Sequence, residues 1–137
     1  MTVSLRNRIL GCLLGGAIAD ALGAPIEFDS LAEIRSRFGP EGLVAYTPAY
    51  GRKGAITDDT QMTLFTAEGL IRADARMTDR GICNAGWIVS RAYGRWLVTQ
   101  GGRDISDPEL GSSVSGWLIT NDELHAQRAP VPRVSPR

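Results

Sequence analysis

Histidine is almost absent: 137 residues contain one, His125. A site built from several imidazoles is therefore excluded, and a Ser-His-Asp triad would have a single candidate base. Cysteine is nearly as scarce. Cys12 and Cys83 form no C-x-x-C pair and have no metal-ligand spacing, so they read as free thiols of a reducing, cytoplasmic compartment. Net charge is missing as well, because 15 basic residues balance 15 acidic ones. No basic stripe argues for nucleic acid, and no acidic block argues for a solvated tail. No uninterrupted apolar run reaches the roughly 20 residues that span a bilayer. Neither nucleic acid nor a membrane is expected as a partner. No segment alternates strictly enough to be read as a strand.

What is present is a soluble composition, 43% apolar and 22% charged, long enough for one domain with a core. Arg6 and Arg8 precede ILGCLLGGAIA, which ends like a signal-peptide cleavage site. Glycines interrupt that run and Asp20 follows at once, so it reads as a helix of the domain. Leu5, Ile9, Leu13, Ala17 and Ala21 recur every four residues behind a Ser4 cap, which predicts a helix over 4–22. Its glycines each cost about 1 kcal/mol relative to Ala. Close approach of another backbone or a ligand is the expected reason.

Gly23 and Pro25 stop this helix. Glu27 stands between Ile26 and Phe28 in the short segment that follows. Ser30 opens a second helix, with Glu33 at capping-box spacing and Gly39 past its end. Residues 39–54, with two prolines and four glycines, read as a long ordered loop. Thr57 caps a third helix to about Ala73, its inward face Met62, Phe65, Leu70 and Ala73. Thr78 caps a fourth helix to about Thr99, with Ile82, Val89, Tyr93 and Trp96 inward. Residues 101–116 are loop-like, and residues 123–129 begin a fifth helix that the later prolines end. The fold class is all-α.

The stretch ITDDTQ, residues 56–61, sets two adjacent carboxylates before an apolar run. The plainer reading is a helix start: Thr57 caps, and Asp58 and Asp59 complement the dipole. One carboxylate already satisfies the dipole, however, and the second adds repulsion. A hydroxyl and two carboxylates from consecutive residues are also hard oxygen donors, suited to Mg²⁺, Mn²⁺ or Ca²⁺ and not to zinc.

GCLLGGAIADALGAPIEF, residues 11–28, followed by ITDDTQMTLFTAEGL, residues 56–70, resembles the N-terminal part of the ADP-ribosylglycohydrolases. These are of the dinitrogenase reductase-activating and ADP-ribosyl-acceptor hydrolase type. The order and separation of the two motifs make the resemblance specific over residues 5–101. It implies a compact all-α domain and a two-metal magnesium site, Mn²⁺ being an alternative, half of which maps to Thr57, Asp58 and Asp59. It also implies a catalytic or gating glutamate beside the ribose, which maps to Glu27. Asp20 belongs to the motif too and reads as structural, bonding nearby backbone. The implied reaction is hydrolysis of the glycosidic bond between ADP-ribose and an acceptor side chain, on a protein or a small molecule. The physics suits it: a metal pair holds ribose hydroxyls and a water, and a neighbouring carboxylate takes the proton.

The second, C-terminal aspartate-rich metal motif of the family has no counterpart here. Asp104 and Asp107 are the only later spaced pair, and their context does not match. Residues 1–129 are expected to be the N-terminal part of such a domain, truncated at the C-terminus, and residues 130–137 a disordered Pro-rich tail. The alternative is a catalytically inactive remnant that acts as a binding or interaction module. Exposed apolar faces on the third and fourth helices, and with them self-association or a partner chain, are expected. Trp87, Trp96 and Trp117 read as core or interface residues, not as a stacking platform for bases.

Overall fold

The computed structural model describes residues 2–102 and 115–128. It is all-α: four helices, α1 (Leu5–Gly23), α2 (Leu31–Phe38), α3 (Asp58–Arg80) and α4 (Ala85–Thr99), with one small hairpin among the described residues, β1 (Pro48–Ala49) and β2 (Arg52–Lys53). The chain forms two compact units, Met1–Thr60 and Gln61–Arg137. The boundary falls in the first turn of α3. Asp104, Asp107 and the 130–137 tail lie outside the described residues.

In the first unit the predicted caps are in place. The Ser4 hydroxyl accepts the Asn7 N–H at 3.2 Å, and α1 ends where Pro25 enters a 3-10 turn, Ala24–Ile26. Ser30 and Glu33 close a full capping box on α2, and Gly39, at φ 84°, takes the left-handed position after it. The loop that follows contains a hairpin the sequence reading missed. Pro48 pairs with Lys53 and Ala49 with Arg52, and the turn residues Tyr50 and Gly51 have φ of 49° and 76°. Two positive φ values mark the hairpin turn whose twist matches its strands. Strands of two residues are too short for alternation to show. The Tyr46 hydroxyl donates to the Ile18 carbonyl at 3.2 Å, tying this loop to α1.

The four-residue stripe of α1 becomes covered only toward its C-terminal end, where Ala21 is buried. Leu5, Ile9, Leu10, Leu14 and Ile18 are all about half exposed. Nothing lies within 4 Å of a Cβ built on Gly11, Gly15 or Gly16, so the expected close approach is not made among the described residues. Within the helix and its following turn (Leu5–Ile26) an 18-residue window has a mean hydropathy of 1.8, and by length and composition alone the segment is apolar enough to cross a membrane. The sequence reading, which found no apolar run of that length, did not see this span.

In the second unit, Phe65, Ala92 and Leu124 form the buried core, flanked by Leu64, Trp96 and Leu118. Two buried amides fasten the last described segment. Gln61 donates to the Ala126 carbonyl at 3.0 Å and accepts from the Trp96 indole at 3.2 Å. Gln100 accepts the Arg128 N–H at 2.7 Å. Gly69 lets α4 approach α3: a Cβ there would meet Val89 Cα at 3.0 Å.

Several boundaries differ from the sequence reading. α3 runs on through Thr78 to Arg80 and stops at Gly81, φ 69°, while the Asn84 side chain caps α4 by accepting the Trp87 N–H at 3.0 Å. Leu70 is half exposed and Ile82, 72% exposed, precedes the helix. The buried row of α4 is Ile88, Ala92, Arg95 and Thr99, one position away from the predicted one. In place of a fifth helix there are two 3-10 turns, Leu118–Thr120 and Asp122–Leu124. Trp96 borders the core, whereas Trp87 and Trp117 are exposed. Cys12 and Cys83 are free thiols, as read.

Candidate active site

Every residue singled out for chemistry lies in the first unit. Glu27 follows the 3-10 turn after α1, and Thr57, Asp58 and Asp59 open α3. Asp20, in the last turn of α1, joins these segments. Its carboxylate accepts the Thr57 N–H at 2.9 Å and the Thr57 hydroxyl at 2.7 Å, and it accepts the Thr60 hydroxyl in a short contact. Asp20 thus makes the backbone bond read for it, to Thr57 on another segment.

The T-D-D-T motif divides its work by side. Both threonines are buried and hold Asp20, while Asp58 is half-buried and Asp59 exposed. The Thr57 hydroxyl gives its proton to Asp20 and accepts the Asp59 N–H at 3.2 Å, so one of its lone pairs caps the helix. Sequence reasoning missed Thr60. The signal was available: three residues after Thr57 it falls on the same helical face.

The Glu27 carboxyl is held above its ordinary 4.5, first by partial loss of water and then by the negative charges of Asp58, Asp59 and Asp20. Those charges therefore reach Glu27 from the start of α3 and the end of α1. Among the described residues, none of Glu27, Asp58 and Asp59 has a cationic partner in an ion pair. Nor do any three His, Cys, Asp or Glu side chains among them lie close enough together to enclose a metal ion. The arrangement is a set of hard oxygen donors of one sign, backed by Asp20, with Asp58 half-buried and Asp59 exposed.

The family model for ADP-ribosylglycohydrolase matches residues 1–132. The chain belongs to the ADP-ribosylglycohydrolase family. It is 36% identical over 96 residues to ADP-ribosyl-[dinitrogen reductase] glycohydrolase of Rhodospirillum rubrum, covering 64% of this chain and 31% of that protein. It is 32% identical over 77 residues to the uncharacterized protein YegU of Escherichia coli K12, covering 52% of this chain and 23% of that one. The chain thus matches less than a third of the length of each of these two relatives. No solved structure matches it.

Proposed function

We propose that this chain contributes to a divalent-cation-dependent hydrolase that removes ADP-ribose from an acceptor side chain, with an ADP-ribosylated protein or small molecule as substrate. The observation that carries the reading is the Asp20 clamp. It fixes the first turn of α3 so that Asp58 and Asp59 face outward without cationic partners, beside a Glu27 whose proton affinity they raise.

The donor chemistry fits a hard cation. Repulsion between the carboxylates is relieved by positive charge, and carboxylate and hydroxyl oxygens suit Mg²⁺ or Mn²⁺. Asp58 and Asp59 would hold the ion, and the remaining lone pair of Thr57 is available to it. When bound, such an ion supplies charge for orienting ribose hydroxyls and for acidifying a water. Glu27 has the protein's own part in the chemistry. Its raised pKa makes it a better acceptor for the proton of a water attacking the anomeric carbon. Asp20 keeps the acidic turn from moving as charge develops, which is the value of a preorganised site.

A second reading, a binding module without turnover, draws on the incompleteness of the carboxylate set among the described residues. The experiment that separates the two is release of ADP-ribose from an ADP-ribosylated protein, with Mg²⁺ added, by the 137-residue chain. Turnover lost in Asp58→Asn supports the hydrolase. Substrate binding without turnover supports the module.

A further inference from the structure

The second unit holds a cleft that the proposed hydrolase chemistry does not use. It has a volume of about 220 Å³ and is lined by Arg72, Arg76, Trp87, Ile88, Arg91 and Arg95. Arg72 and Arg76 stand four residues apart on α3, and Arg91 and Arg95 four apart on α4. Each pair is a like-charge helical pair, which destabilises its helix when nothing neutralises it. Two such pairs lining one cleft compound that repulsion.

The counter-charge present is small. Glu68, itself buried, lies 3.4 Å from Arg95 Nη2 and 3.8 Å from Arg72 Nη1. Its Oε1 also accepts the Trp117 N–H at 2.8 Å. In the adjoining recess Asp79 and Arg80 add one charge of each sign. Among the described residues, four guanidiniums are therefore set against one buried carboxylate. Arg95 bears the consequence. It is only 8% exposed; its Nε and Nη2, like the facing Glu68 Oε2, make no hydrogen bond among the described residues, although Nη2 and Oε2 form an ion pair at 3.4 Å. Burying a guanidinium with unsatisfied donors is costly unless an anion answers it. Arg91 rests on the Trp87 ring at 5.0 Å, a contact that restricts where its charge points.

We infer that this cleft is a phosphate site: Arg72, Arg76, Arg91 and Arg95 bind a phosphate anion, free or carried on a larger molecule. A cation is repelled there, and a neutral ligand would leave the guanidiniums unanswered. Phosphate offers several acceptor oxygens at tetrahedral angles, which suits forks arriving from two helices. The volume is below the roughly 300–1,000 Å³ of pockets that engulf whole drug-sized ligands. The cleft has room for a small anion and not for a whole cofactor.

The test is calorimetric titration of the full chain with orthophosphate and, separately, pyrophosphate, at low salt with EDTA present. The EDTA removes any contribution from a cation at Asp58 and Asp59, so failure here is distinguishable from failure of the hydrolase reading. Saturable binding is expected, weakened at least about tenfold in Arg76→Gln/Arg91→Gln, two side chains open enough to change without unfolding the unit. Lys53→Gln/Arg35→Gln, which removes the same charge elsewhere, should change affinity less than about twofold. Orthophosphate binding as well as pyrophosphate would indicate a site for one free phosphate. Tighter pyrophosphate would indicate a group carried on a longer polyphosphate. No saturable binding of either anion, or equal weakening in both double variants, would overturn the inference.

Discussion

Asp20 and Thr57, 37 residues apart, are joined by two hydrogen bonds, one to the Thr57 N–H at 2.9 Å and one to its hydroxyl at 2.7 Å. A carboxylate late in α1 thereby sets where α3 begins. Asp20→Asn replaces one of its acceptor oxygens with a donor, in a place where every partner is itself a donor. Hydrogen bonds to a charged group are worth about 1.5–3 kcal/mol each. The expected loss is about 3 kcal/mol of stability, measured by urea unfolding, together with weaker divalent binding. Unchanged stability would mean that the clamp is not what orders this turn.

Glu27 provides a pH signature. Its folded pKa is raised above 4.5, so the native state holds the proton more tightly than the unfolded chain does. The stability this gives is fully present below 4.5 and is lost as pH rises through the raised value. Without added metal, Glu27→Gln should therefore raise the melting temperature at neutral pH, with the difference vanishing well below 4.5. A lower melting temperature at neutral pH would show that Glu27 is held by an attractive partner instead.

Gly69 separates helix propensity from packing. Alanine is favoured in a helix by about 1 kcal/mol. The added methyl, however, meets the backbone of α4 at Val89 Cα, 3.0 Å away. α4 has little room to yield, since Tyr93 is hydrogen-bonded to Thr66 at 2.8 Å and Arg95 is paired with Glu68. Overpacking costs about 1–3 kcal/mol, so Gly69→Ala should be net destabilising by about 1 kcal/mol in urea unfolding. A more stable variant would place the helices further apart than described.

An apolar recess of about 450 Å³ on α1, lined by Leu5, Arg6, Ile9, Leu10 and Leu13, should take up a hydrophobic dye. Ile9→Lys should reduce the dye fluorescence at unchanged helix content by circular dichroism. Equal fluorescence in the variant would place the exposed apolar surface elsewhere.

What the sequence made legible was local. Ser4, Ser30 with Glu33, and Thr57 could be read because a cap and its target lie within three residues of each other. Asp20 was legible as structural, but its partners in the T-D-D-T turn were not, because nothing periodic links residues so far apart. The same holds for Glu68 and Arg95, whose pairing makes α4 bury an arginine where apolar periodicity predicts its neighbour Trp96. Thr78 misled for a physical reason. Threonine is tolerated inside a helix, and the left-handed Gly81 and the Asn84 cap were the stronger stop and start. The proposed cation site rests on donor chemistry legible in the sequence, whereas convergence of ligands is a property of the fold.

Asp58 and Asp59 are proposed to form a cation site held in place by Asp20. Titration of the full chain with Mn²⁺, following the free-ion signal by electron paramagnetic resonance, tests it most directly. Weak but saturable binding is expected, reduced at least about tenfold in Asp58→Asn/Asp59→Asn, since both charged donors are then lost. Affinity unchanged by that double substitution would contradict it, leaving the two aspartates as no more than the acidic first turn of a helix.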